Sequence, residues 1–389
     1  MLPAALPRFV ALYALMYAAF GVASPFMPAF FEGRGLGPEQ IGILFGAGTA
    51  IRLIAGPLVG RVADLSQAVR GALAICELLA AVVALGLLSA PAVTPLLLAS
   101  LFHSAALAPT TTLADALALG AAKPGHGRSG FEYGWVRGTG SAVFIIGTLV
   151  SGQVVASWGL ASIIIFQAVL LVAASGAAIL VPIGQRQETV SGSGHARGGV
   201  VALLGIPVFR RVMLVSALVL GSHAMHDTFA VIRWSAAGIT PTVASALWSA
   251  SVAAEVLVFF VIGPPLLRRV GPAAVVALAA TGGVVRWMTM ASSTSMMALA
   301  LVQPLHGLTF AALHLACMRV ISVIVPSHLA ATAQAMYALG AGATTALLAV
   351  ASGSLYGAVG ARGFLVMALL CAAALPLVRG LRRVPVTPS

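Results

Sequence analysis

The sequence predicts an all-α membrane protein of twelve transmembrane helices in two pseudo-symmetric six-helix bundles. Three observations lead there: an apolar composition, a one-sided distribution of arginine, and two sequence echoes half a chain apart. The 389 residues are 60% hydrophobic and only 8% charged, with a mean hydropathy of +1.06. Soluble domains carry far more charge, and extended apolar runs mark a membrane protein. The net charge of +12 calls for no nucleic-acid partner. Only one of the 21 basic residues is lysine, and most arginines stand singly between apolar runs, where the positive-inside rule explains them. Cys76, Cys317 and Cys371 are odd in number and lie in apolar runs, so they read as small buried hydrophobes rather than a disulfide framework.

At about 20 residues per span, the first half places helices at 9–31, 39–62, 71–90, 93–118, 133–157 and 161–183. The second half places them at 209–237, 242–267, 272–291, 295–323, 331–357 and 363–380. The first run is long enough to cross a bilayer and others follow it, so it reads as a retained helix rather than a cleaved signal. The polar stretch 184–199, GQRQETVSGSGHARGG, reads as a flexible linker. The expected organisation is an N-terminal bundle over 1–183, a cytoplasmic linker over 184–206 and a C-terminal bundle with a short basic tail over 207–389. With the N-terminus inside, fourteen basic residues, from Arg8 and Arg61 to Arg382 and Arg383, fall on one side; only Arg34 and Arg362 fall on the other. Both termini are therefore expected in the cytoplasm and the chain in the cell (inner) membrane.

The halves echo each other. Gly56-Pro57 recurs as Gly263-Pro264, and Ser151-Gly152 with Gly159 recurs as Ser352-Gly353 with Gly360. The offsets, 207 and 201 residues, each cover six helices. An even number of spans returns the chain to the same side, so the repeats are parallel, about an axis along the membrane normal.

Ionisable groups inside spans are costly and mark function. Arg137, in YGWVRGTGS (133–141), opens an apolar helix and is the candidate substrate anchor. Asp115 lies within reach of Arg137 if the fourth and fifth helices form a hairpin; that pair is substrate-binding or structural. Glu255 lies deep in the eighth helix and Arg286 deep in the ninth. They read as a proton-carrying pair or as a static ion pair, because burial and a nearby arginine act on a carboxyl in opposite directions. His306 and His314 on the tenth helix are eight residues apart, about 80° around the axis, and histidine suits proton relay; His314 is equally explained as a packing residue. Asp64, in the turn G-R-V-A-D-L, is a candidate cytoplasmic gate latch, with a solvated loop charge as the alternative. His223 and His226 stand at i, i+3, but no further cluster at ligand spacing accompanies them, so no metal site is expected. Trp287 and Trp248 could stack on an aromatic ligand; packing explains them too. There is no P-loop, which leaves ATP-driven transport without support. There is no nucleophile–base pair either, so no catalytic residue and no enzyme are expected.

The chain resembles the oligosaccharide/nucleoside–proton symporter branch of the major facilitator superfamily, which includes lactose permease. Within that branch it is most similar to the 3-phenylpropionate permeases. The residues that carry the resemblance are GAGTAIRLIAG (46–56), TLADALA (112–118), YGWVRGTGSAVF (133–144), GSHA (221–224), LWSASVAAEV (247–256), GGVVRW (282–287), LHGLTFAALHLACMR (305–319) and AQAMY (333–337). The resemblance implies a major facilitator fold. It also implies Arg137 as the substrate-binding arginine, Asp115 near an acidic sugar-binding position, and Glu255, Arg286 and His306 in the substrate and proton-coupling site. The proton-carrying carboxylate of lactose permease, three residues after the histidine, is Thr309 here. Against the phenylpropionate permeases, His226, Asp227 and Arg233 replace expected aromatics.

The expectation is a monomeric proton-coupled symporter of a small aromatic or organic acid, working by alternating access in the lipid bilayer. Substrate binding is assigned to Arg137, Asp115, Trp287 and His223. Proton coupling is assigned to Glu255, Arg286, His306 and His314, and gating to Asp64. No cofactor is expected, the proton gradient being the drive. A symporter of neutral sugars or nucleosides is the alternative, and a non-transporting membrane receptor or enzyme the remote one.

Overall fold

The structure is a computed structural model that describes residues 5–90, 92–122, 130–182 and 196–381. Lys123, Arg128, Arg186, Arg382 and Arg383, part of the charge asymmetry above, lie outside the described residues, as does the side chain of Arg197. The described residues are helical apart from turns and short connections. Ten helical stretches are long and apolar enough to cross a membrane. Two of them, 241–292 and 327–381, are 52 and 55 residues long, more than twice what a hydrocarbon core requires. Each is interrupted. Gly271 leaves helical geometry at φ 78°, and a 3-10 turn at Gly360–Gly363 divides the other. Ten stretches thus hold the twelve expected crossings.

The chain forms two compact units: Met1–Gly37, Ala47–Thr189 and Gly238–Ala246; and Pro38–Gly46, Val190–Ala237 and Leu247–Ser389. The first half supplies α1 (Leu6–Ala23), α2 (Met27–Gly33), α3 (Pro38–Leu65), α4 (Val69–Ser89), α5 (Val93–Leu107), α6 (Thr110–Ala122), α7 (Tyr133–Trp158) and α8 (Ala161–Leu180). The second half supplies α9 (Ala196–Gly205), α10 (Pro207–Gly221), α11 (His223–Ala236), α12 (Pro241–Leu257), α13 (Gly263–Ser292), α14 (Met296–Val302), α15 (Leu313–Ile324), α16 (Ala330–Val359) and α17 (Phe364–Val378).

Several boundaries differ from expectation. The run at 9–31 is split between α1 and α2 around Pro25, and the run at 93–118 between α5 and α6 around Pro109, because proline cannot donate the helical N–H bond. Residues 184–195 of the expected linker lie outside the described residues, and Ala196–Gly205 is helical. Asp64 is not in a turn. It sits in the last turn of α3, which runs on to Leu65 before Gln67 takes a positive φ of 53°. Its carboxylate is exposed and makes no ion pair among the described residues. The second echo has a physical basis: Gly159 and Gly360, at φ 78° and 58°, end α7 and α16, a backbone state glycine adopts without strain.

In the first unit α1 packs on α7 and α8, and α4 on α5 and α8. The α1–α7 seam is made by small residues, as membrane helices require for close approach. A Cβ on Gly21 would collide with the Phe144 carbonyl oxygen, and one on Gly147 would lie 2.9 Å from that of Ala18. Thr148 Oγ1 donates to the Gly21 carbonyl at 3.2 Å. This seam holds the start of α7 against Tyr17 of α1. Gly21→Leu should therefore lower the thermal unfolding midpoint of the purified protein, at an overpacking cost of about 1–3 kcal/mol; an unchanged midpoint would contradict the seam's role.

In the second unit α13 is central, packing on α14, α15 and α17. Two π-helical turns flank it, Val258–Ile262 after α12 and Gly307–Ala312 before α15, and they also pack against each other.

Candidate functional site

Each unit carries a polar group of its own. In the first, Asp115 on α6 is clamped by two tyrosines rather than by Arg137. Its Oδ1 accepts from Tyr13 OH at 2.5 Å and from Tyr133 OH at 2.7 Å. Arg137, one turn after Tyr133 on α7, is exposed and places its guanidinium 5.1 Å from the centre of the Tyr17 ring. Tyr17 in turn stacks on Tyr13, with centroids 5.8 Å apart. Among the described residues no carboxylate pairs with Arg137. The expected Asp115–Arg137 pair is thus replaced by a tyrosine-bridged arrangement. Tyr13 and Tyr17 are four residues apart and so share one face of α1, which is the signal that locates them in sequence.

In the second unit, α13 drives Arg286 into the interior with no exposure. Buried N–H groups are costly without acceptors, and three acceptors converge on the two terminal nitrogens, while Nε has no partner among the described residues. Nη1 meets His306 Nδ1 at 3.1 Å; Nη2 meets His226 Nε2 at 3.3 Å and Gln303 Oε1 at 3.0 Å. Ser251 Oγ also donates to Gln303 Oε1 at 2.9 Å, fixing the amide.

Arginine has donors only, so the ring nitrogens facing it must accept. That choice fixes both tautomers. His306 carries its proton on Nε2, which lies 3.2 Å from Glu255 Oε2. His226 carries its proton on Nδ1, which lies 3.3 Å from Asp227 Oδ1. The result is one chain, Glu255–His306–Arg286–His226–Asp227, with a cation at its centre and a carboxylate at each end. Arg286 and His226 are buried and His306 is half-buried, whereas the Glu255 and Asp227 side chains are 25% and 52% exposed.

Aromatic rings hold the histidines in place. His306 stacks on Phe310 at 5.5 Å and 8°, and His226 on Trp248 at 5.2 Å and 24°. Arg286 also lies 4.6 Å from the Trp287 ring centre, a cation–π contact. Trp287, fully buried, donates to Ser222 Oγ at 2.8 Å. His223 packs behind the network, 5.0 Å from the His306 ring and 5.3 Å from that of Trp287, with its Nε2 unpartnered. His314 is elsewhere on the same stretch, 3.4 Å from Tyr337 OH. Thr309, where the resemblance calls for a carboxylate, is buried and donates back to the Leu305 and His306 carbonyls at 3.2 and 3.3 Å. Among the described residues no His, Cys, Asp and Glu group could hold a metal.

The direct Glu255–Arg286 pair expected from the sequence is bridged in the structure by His306. Gln303, three residues before His306 and so on the same helix face, joins Arg286, as do His226 and, through it, Asp227, none of which the sequence assigns a role.

The MFS_1 like family matches residues 6–366, nearly the whole chain. The protein belongs to that family. It is a transporter of the major facilitator type and not an enzyme. It is 32% identical over 370 residues to the probable 3-phenylpropionic acid transporter of Escherichia coli (strain K12), covering 93% of this chain and 94% of that protein. It is 22% identical over 304 residues, covering 78% of this chain and 74% of that protein, to the uncharacterized transporter YwbF of Bacillus subtilis (strain 168). Its fold matches the crystal structure of a mutant of the nucleoside transporter NupG with a TM-score of 0.85 at 18% identity, over 97% of this chain and 99% of that one. It also matches an inward-facing bacterial homologue of the human lysosomal transporter Spinster with a TM-score of 0.68 at 14% identity, over 96% and 95%. These likenesses show the major facilitator fold in an integral membrane protein.

Proposed function

We propose that the protein is a secondary active transporter that couples proton movement to symport of a small aromatic or other organic acid by alternating access. The observation that carries this reading is the five-residue network around Arg286. With both histidines neutral, it sets one positive charge against two negative ones. A net charge in a water-poor site is costly, and a single added proton cancels it. The network is therefore suited to take up one proton when closed off and to release it when reopened. Glu255, partly exposed and bonded to His306, is the group that exchanges that proton.

Arg137 is the substrate anchor in this reading, its exposed guanidinium left to receive a carboxylate through two parallel hydrogen bonds. The kinship to a probable 3-phenylpropionic acid transporter supports an arylpropionate as the first ligand to try. A neutral sugar or nucleoside is the second reading. Asp115 favours it, since a carboxylate that already accepts two hydroxyl hydrogen bonds is built to accept others.

One experiment separates the two: purified protein in proteoliposomes, an imposed pH gradient, and 3-phenylpropionate uptake challenged by carboxylates, sugars and nucleosides. Gradient-driven uptake that other aryl carboxylates suppress and nucleosides do not is the expected result. Suppression by a sugar or nucleoside alone would favour the second reading.

A further inference from the structure

The hydrogen bond between His306 and Glu255 depends on how closely two helical segments approach, and one residue sets that approach. Gly307 follows His306 and Ala254 precedes Glu255. A Cβ built on Gly307 would lie 2.7 Å from the Ala254 carbonyl oxygen, 3.0 Å from its carbonyl carbon and 2.9 Å from Val258 Cγ2. The two backbones are thus in contact right beside the 3.2 Å bond from His306 Nε2 to Glu255 Oε2.

The local geometry has the same centre. Gly307 opens one π-helical turn, Val258 opens the other, and the two turns pack against each other. A π turn takes in an extra residue and leaves carbonyls without their usual α-helical partners. Thr309 Oγ1, within the turn, donates back to the Leu305 and His306 carbonyls, which ties the turn to the backbone that carries the histidine. The opposite side is looser. A Cβ on Gly282 of α13 would meet Leu308 and Thr309 atoms only at 3.8 Å and beyond.

We infer that Gly307 is a positioning residue for proton coupling: its missing side chain lets His306 reach Glu255. The inference rests on the proposed proton-carrying role of Glu255. With alanine at 307, reaching ordinary contact at 3.4 Å from the present 2.7 Å requires the segments to part by about 0.7 Å, a distance that takes the His306–Glu255 contact beyond hydrogen-bond range.

The test compares Gly307→Ala, Gly282→Ala and Glu255→Gln in proteoliposomes, each measured for pH-gradient-driven accumulation and for substrate exchange without a gradient. Exchange serves as the fold and binding control. Gly307→Ala is expected to keep exchange within about twofold and to lose accumulation by about tenfold, the scale of one charge-assisted hydrogen bond. Gly282→Ala is expected to leave both unchanged. Wild-type accumulation in Gly307→Ala alongside its loss in Glu255→Gln would overturn the positioning role and leave the proton-carrier reading standing. A parallel loss of exchange and accumulation in Gly307→Ala would also overturn it, since that marks a purely structural glycine. Normal accumulation in Glu255→Gln would instead overturn the reading beneath it.

Discussion

Glu255→Gln is expected to abolish uphill accumulation of the substrate while leaving its exchange across the membrane intact. Glutamine keeps the size and an acceptor oxygen for His306 Nε2, so the packing around the 3.2 Å contact survives. It cannot ionise, so the network loses its exchangeable proton. A gradient of one pH unit is worth about 1.4 kcal/mol, or about tenfold accumulation at one proton per substrate. The wild type should show that factor and the variant should equilibrate. Accumulation by Glu255→Gln to the wild-type level would remove Glu255 from the proton path.

Arg137→Lys is the second large effect. Lysine preserves the charge but lacks the planar fork that pairs with a carboxylate bidentately. Losing one charge-assisted hydrogen bond costs about 1.5–3 kcal/mol, so the apparent affinity for a carboxylate substrate should fall about tenfold to a hundredfold. Proton coupling should persist at saturating substrate, because the Arg286 network is built from other helices. Tyr17 faces the guanidinium at 5.1 Å, and a shorter-reaching, more hydrated ammonium would use that ring less well. Uptake kinetics over a range of substrate concentrations measure this directly, and unchanged kinetics would refute the anchor.

Much of the architecture was legible in the sequence because a bilayer imposes strict rules. Apolar runs of sufficient length must be helices. The echo at Gly159 and Gly360 proved to be two helix ends that share a positive φ. The breaks at Pro25 and Pro109 were less visible, because hydropathy does not register them. The candidate site was legible residue by residue and not in its wiring. Arg286, Glu255 and His306 stood out as ionisable groups in apolar surroundings. That His306 bridges the other two depends on the close approach at Gly307, a tertiary fact. Gln303 and Asp227 look unremarkable in sequence, and they matter only because Arg286 gathers Gln303 directly and Asp227 through His226. Asp115 stands out in the sequence as polar in an apolar helix, but its partners on α1 and α7, Tyr13 and Tyr133, are 102 and 18 residues away.

Linkage makes the central claim measurable without transport. If substrate and proton bind with positive coupling, each must raise the affinity for the other by the same factor. The measurement is the pH change when 3-phenylpropionate is added to the purified protein in weakly buffered solution. The account predicts proton uptake on binding by the wild type and none by Glu255→Gln at saturating ligand. Binding without proton uptake in the wild type, or the same uptake in the variant, would contradict it.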